Sequence, residues 1–395
     1  MSLFFKNLSK VLQENVREYG MFIALFVIMA IFAITTKGVF LSSRNISNLI
    51  NQTGYIAVLA VGMTIVIVIR HIDLSVGFLA GFLGAVAAIA LKYWGLPTIL
   101  VVPMVLALGI LAGLLTAFPV AKLGVPAFVT SLAGWLIYRG LLQLVTSGTG
   151  TIIVSNDAFN AIGNGFIPDI PKFGFLDDVH KITLLLGIIA IVFLIFSEIN
   201  SRRNKQVYNF EVLPNDLFIL KLVFMSIVIS YITWTLANYN GLSWTFVIVL
   251  IVVAIYDFVT NKTVLGRHIY AVGGNPDAAE LSGISVEKIT FIAFGSMGLL
   301  TALSGILFTS RLQSATTTAG TLFELDAIAA AYVGGVSAAG GVGKVTGSII
   351  GALVMMSLIS GMNLMTIDIS YQYIVRGAVL AGAVIFDVMT RTSNK

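Results

Sequence analysis

The chain has 395 residues, 58% of them hydrophobic and only 10% charged, with no cysteine, three histidines and a net charge of +5. Soluble globular chains are about 45–50% apolar and about 25% charged, so a water-soluble fold of this composition would expose apolar surface it could not hide; the solvent for most of the chain is lipid. The missing cysteines exclude disulfides, thiolate metal sites and a cysteine nucleophile, and His71, His180 and His268 lack the close spacing of paired ligands, which argues against a metal centre.

Residues 1–20 carry Lys6, Lys10, Glu14, Arg17 and Glu18 ahead of the first apolar block, without a signal-peptide layout. They are expected to form a cytoplasmic N-terminal segment, and the block a retained span. Apolar stretches then follow at 21–34, 55–69, 74–91, 98–118, 127–145, 182–196, 217–236, 244–259, 289–308, 325–336, 345–359 and 373–388. A full helical crossing takes about 20 apolar residues. Several stretches fall short of that, so the expected fold is all-α: a polytopic transmembrane helical bundle of about 10–12 spans, some broken or re-entrant, forming one membrane domain over 1–395.

Charge placement tests the count. With the N-terminus inside and twelve alternating spans, Arg70, His71, Lys122, Arg202, Arg203, Lys205, Lys262, Arg267, His268, Lys288, Lys344, Arg391 and Lys395 fall inside, whereas the 148–181 interval with Asp157, Asp169, Asp177 and Asp178 falls outside. Cytoplasmic loops carry such a basic excess, so both termini are expected in the cytoplasm, and the positive balance needs no nucleic-acid partner. The 147–181 interval reads as an external loop, 197–216 as a cytoplasmic connection, and stretches 217–236 and 244–259 as a hairpin turning at 238–241.

Small residues recur at Gly77, Gly81 and Gly84 and again from Gly334 to Gly351, where they let helices pack closely in lipid. The run from Val333 to Gly343 is too glycine-rich for one rigid helix and reads as a break or hinge. The segments from Ile69 to Gly77 and from Phe323 to Ala330 echo each other. Each places acids at the entrance to a small-residue segment, the pattern of a duplicated half.

Ionisable groups at membrane depth cost about 2.5–3.5 kcal/mol on insertion scales and face a cavity or a partner. Asp73, Ser75, Arg139, Glu324 and Asp326 are therefore candidates to gate or line a solute route; a loop-level cap or an interhelical ion pair explains the same residues. Trp94, Trp135, Trp234 and Trp244 can stack on a bound solute or sit in the interfacial belts.

The 261–288 loop carries the most informative motif. Asn275-Pro276 is a helix start, Asp277 and Glu280 favour the positive end of its dipole, Ala278 and Ala279 continue it, and Gly283 stops it. So short a helix is unstable alone and makes sense docked in a partner.

Asp277-Ala-Ala-x-x-x-Gly283 resembles the coupling signature of ATP-binding-cassette importer permeases, with Asp for the usual Glu and without the Ile-x-Leu-Pro that follows it. The longer string from Gly266-Arg-His-Ile-Tyr270 through Gly273-Gly-Asn-Pro-Asp-Ala-Ala279 is similar to the ribose, xylose and galactose permease family. So are Ser43-Arg-Asn-Ile-Ser-Asn-Leu49, Ile72-Asp-Leu-Ser-Val-Gly77, Val125-Pro-Ala-Phe128, Tyr138-Arg-Gly140 and Glu324-Leu-Asp-Ala327. Within it, the extra segment 217–259 makes the chain most similar to xylose-type and multiple-monosaccharide permeases. The resemblance implies a type II-like importer permease fold, residues Asn275, Asp277, Ala278, Ala279, Glu280 and Gly283 coupling to a cytoplasmic ATPase with duplicated cassettes, an extracytoplasmic sugar-binding protein that selects the sugar, and a second permease copy, a homodimer, in a bacterial inner membrane. ATP and Mg would bind the partner, this chain holding no cofactor. Gly340-Gly-Val-Gly-Lys-Val-Thr346 lacks the ending of a phosphate-binding loop and follows no strand, and no triad or acid pair suggests an enzyme. An ion-coupled secondary transporter fits the composition equally; the 275–283 helix, which needs a docking partner, argues the other way.

Overall fold

The computed structural model describes residues 16–148, 150–171, 174 and 178–392. Residues 1–15 of the N-terminal segment, Asp177 and Lys395 lie outside the described residues. In chain order the helices are α1 (Val16–Thr35), α2 (Ser43–Val68), α3 (Val76–Lys92), α4 (Thr98–Leu123), α5 (Ala127–Thr146), α6 (Asp157–Asn164), α7 (Lys181–Val207), α8 (Asn215–Ala237), α9 (Trp244–Lys262), α10 (Val264–Gly274), α11 (Pro276–Leu281), α12 (Val286–Leu312), α13 (Phe323–Val333), α14 (Val345–Leu364) and α15 (Ile369–Thr392). Two short strands, β1 (Thr151–Ile153) and β2 (Ser314–Thr316), pair antiparallel with Ile152 opposite Ala315.

Every apolar stretch of the sequence has become one helix, and among the described residues nine helices are long and apolar enough to cross a membrane. Of the other three apolar helices, α1 and α3 fall just short of that length, and the one at 325–336 is much the shortest. With eleven residues, α13 rises about 16 Å, half of a hydrocarbon core about 30 Å thick. Helix starts follow proline: Pro97, Pro126 and Pro214 occupy the N-cap positions of α4, α5 and α8, where a residue without an N–H leaves no donor unpaired. The glycine-rich run is a break, as expected. Helix α13 ends at Val333, and Gly335, Gly340 and Gly341 all take positive φ before α14 begins.

The chain divides into two compact units. The larger comprises Met21–Phe40, Leu49–Gly165 and Trp244–Lys395. Its core is built on close helix contact through small residues. Helix α4 lies along α12, where a Cβ on Gly298 would run into the Gly109 carbonyl and one on Gly113 into the Phe294 carbonyl. Helix α3 crosses α12 at Gly84 and Gly305, and α13 meets α14 where Gly334 faces Gly347. Leu79, Leu83, Leu142, Phe159 and Ile306 fill the space between.

Segments that charge alternation places on one side meet in this unit: Lys122 pairs with Glu287 at 2.6 Å, and Gly341 N donates at 2.8 Å to Val68 O, at the end of the stretch that leads into Arg70 and His71. Segments assigned to the outside likewise meet: β1 pairs with β2, and Thr98 Oγ1 donates to Asn156 Oδ1 at 3.0 Å.

The smaller unit comprises Met1–Gly20, Leu41–Asn48 and Phe166–Ser243. Its centre is a pair of helices, α7 on α8, tied by Lys221 Nζ and Glu198 Oε1 at 2.7 Å. Within the 197–216 interval read as a connection, α7 continues to Val207 through Arg202, Arg203 and Lys205, all good helix formers. Asp169 accepts from the N–H groups of Lys181 and Ile182 at 3.0 and 2.9 Å and fixes the start of α7.

Candidate functional site

The 261–288 loop holds two helices where one was expected. Thr263 caps α10, accepting from Gly266 N at 3.2 Å; this Thr-x-x-Gly start was legible and went unread. Helix α11 is the expected one. Asn275 Oδ1 accepts from Ala278 N at 3.1 Å and Pro276 occupies the first turn. At the far end Ser282 N bonds Ala278 O at 3.1 Å, Gly283 N bonds Glu280 O at 2.9 Å and Ile284 N bonds Ala279 O at 3.0 Å, with Gly283 at φ +82, which suits a residue without Cβ. Ala279 is the inward anchor at 4% exposure, while Leu281 is 91% exposed. Asp277, Ala278 and Glu280 are exposed with it, so α11 presents two carboxylates and one apolar side chain on a rigid base.

The second set of candidates gathers at the starts of α3 and α13. Asp73 Oδ1 accepts from Ser75 N at 2.9 Å and from Ser75 Oγ at 2.6 Å, both residues being buried. The carboxylate thereby sits where the α3 dipole favours it. Ser131 of α5 reaches over this turn to the Ile72 carbonyl at 3.3 Å.

Glu324, one residue into α13, accepts from Trp135 Nε1 of α5 at 3.0 Å and lies against Gly77 of α3, where a Cβ would displace it. The two sequence echoes therefore abut in space. The Arg139 guanidinium stands over the Trp135 and Phe78 rings, 5.3 and 5.6 Å from their centroids, within cation–π range. Trp135, read as a stacking or belt residue, is the hydrogen-bond donor that holds Glu324.

Asp326 leaves α13 on a different side. It pairs with Arg376 Nη1 of α15 at 3.4 Å, beside a cavity of about 400 Å³ walled by Leu325, Met355, Tyr373 and these two residues. Arg376 was missed in the sequence, although a lone arginine inside the apolar stretch 373–388 is itself a signal. Glu324 Oε2, Asp326 Oδ1 and Arg376 Nε are buried without a protein hydrogen-bond partner among the described residues. Buried polar atoms are normally satisfied; acceptors and a donor left over around the start of a half-length helix can bond a hydroxyl-rich solute.

The fold is a membrane bundle with one glycine-broken pair of helices that carries buried acids and one short helix that exposes two carboxylates, and the transport-permease class follows from the family it matches. Residues 45–384 match the family described as branched-chain amino acid transport system / permease component, and the chain belongs to it. Over its whole length it is similar to curated sugar permeases. It is 41% identical to the xylose transport system permease protein of Haemophilus influenzae, covering 98% of this chain and 99% of that one. It is 37% identical to the xylose transport system permease protein of Escherichia coli, covering 95% and 93%, and 35% identical to the ribose import permease protein of Haemophilus influenzae, covering 94% and 93%. No solved structure gives a significant match.

Proposed function

We propose that the chain is the membrane-spanning permease subunit of an ATP-binding-cassette importer that carries a xylose-type pentose into the bacterial cytoplasm. The observation that carries the reading is the near-complete match to xylose permeases at 41% and 37% identity. The capped, exposed α11 supports it as a ready docking element for a partner that hydrolyses ATP. On this reading a cytoplasmic ATPase with duplicated cassettes binds ATP and Mg, an extracytoplasmic binding protein delivers the sugar, and two copies of this chain form the conduit. Residues 1–395 act as one permease domain with both termini and the 261–288 loop cytoplasmic. Asn275, Asp277, Ala278, Ala279, Glu280 and Gly283 seat the ATPase, while Asp73, Ser75, Arg139, Glu324 and Asp326, with Arg376, gate or line the route.

The test is reconstitution of this chain in liposomes with the ATPase and binding protein that co-purify with it. Labelled xylose should accumulate only with ATP, and unlabelled ribose should compete weakly. Accumulation by the chain alone along an ion gradient would overturn the proposal.

A further inference from the structure

Arg70 follows the end of α2 at φ +68, in the left-handed region that a residue with a Cβ seldom adopts. Its guanidinium reaches the end of α10: Nε donates to Gly273 O at 2.6 Å and Nη2 to Gly274 O. Both are carbonyls of the last turn of α10, which have no partner within the helix and form the negative end of its dipole. The planar fork of arginine meets two successive carbonyls as a lysine could not.

Two further bonds close the junction. Gly341 N donates to Val68 O at 2.8 Å, and Tyr270 Oη of α10 donates to Gly343 O at 2.6 Å. The contact is made backbone to backbone. A Cβ on Gly273 would run into the Val68 carbonyl and the Gly341 nitrogen, and Gly340 packs against the stem of Arg70. Asn275 alone separates α10 from α11. A displacement of α11 therefore has no slack to be lost in: it moves Gly273 and Gly274, and through them both the exit of α2 and the break ahead of α14. Beyond Arg70 the chain runs directly to Asp73 and Ser75 at the entrance of α3.

We propose that Arg70 and Tyr270 are positioning residues that transmit movement of α11 to the α2–α3 turn and to the Gly340–Gly343 break, and so couple ATP hydrolysis to opening of the sugar route. The inference rests on the function proposed above. A purely structural clamp would change how much complex assembles, not how much sugar moves per ATP, so that ratio is the measurement. In liposomes holding equal amounts of assembled complex, Arg70→Ala should keep its ATPase bound and hydrolysing while xylose moved per ATP falls about tenfold, within the usual range for coupling between sites. Arg70→Lys should recover part of the loss, and Tyr270→Phe should show a smaller one. An unchanged ratio in Arg70→Ala overturns the inference. Should Arg70→Ala fail to reach the membrane, Tyr270→Phe, which deletes one hydroxyl and keeps the ring, decides in its place: a lower ratio supports the junction and an unchanged ratio overturns it. Absence of ATP-dependent uptake in the unmutated complex would overturn the transporter reading and this inference together.

Discussion

Two ion pairs of the protein make opposite use of the same chemistry. Glu198–Lys221, between α7 and α8, is formed at 2.7 Å with its side chains 29% and 37% exposed, whereas Asp326–Arg376 in the larger unit is formed at 3.4 Å with side chains only 5% and 18% exposed. The exposed pair has good geometry and stands on helices that are barely buried, α7 burying only Thr183 and Gly187 and α8 only Leu217, Thr235, Leu236 and Ala237. The buried pair is longer and leaves Arg376 Nε and Asp326 Oδ1 unbonded. A pair kept only for stability would be expected to satisfy its atoms where water cannot reach them. Incomplete satisfaction in the better-packed region sets the buried pair apart, and under the function proposed above it is the one expected to serve transport.

The contrast is most sharply tested by removing the cations. Arg376→Met leaves a buried carboxylate uncompensated and should cost about 3–5 kcal/mol in unfolding measured in lipid nanodiscs. The double variant Arg376→Met with Asp326→Leu should regain most of that loss while failing to transport, and full transport by it would remove the pair from the route. Next in size is Gly298→Leu, whose side chain meets the backbone of Gly109 and Gly113 and should cost about 1–3 kcal/mol; Ile188→Ala on the exposed face of α7 should stay within about 0.5 kcal/mol. Lys221→Met should cost about 0–1 kcal/mol. If it costs as much as Arg376→Met, the two pairs do not differ in kind.

The smallest effect concerns pH. Partial burial works to raise the Asp169 carboxyl, but the N–H groups of Ile182, Lys181 and Ile170 outweigh it and hold the group below its ordinary value. A carboxyl lowered in the folded state contributes stability that is present above the unfolded pKa and is lost as pH falls through the folded one. The start of α7 should therefore loosen only below about pH 4. Hydrogen exchange at Ile182 would report it, and Asp169→Asn should abolish the pH dependence.

What was legible in the sequence was local or periodic. Apolar length gave twelve of the helices, the Asn275–Gly283 caps gave α11, and glycine density gave the break after Val333. The pairings were not legible, because nothing near Asp326 announces a partner at Arg376 fifty residues on, nor does Trp135 announce Glu324. The α7–α8 pairing was not legible either, since apolar length says where helices lie and not which ones pack.

The brevity of α13 has a consequence for the membrane the protein inhabits. A helix that crosses the full hydrocarbon core must tilt or stretch its surroundings when bilayer thickness changes, at a cost for each ångström of mismatch. Helix α13, at eleven residues, has no second interface to reach, and its first turn answers to Gly77, Trp135 and Arg376 instead of to lipid. Glu324 and Asp326 are thus held at a depth set by protein contacts, and should keep their place in membranes of different thickness while the long helices around them adjust.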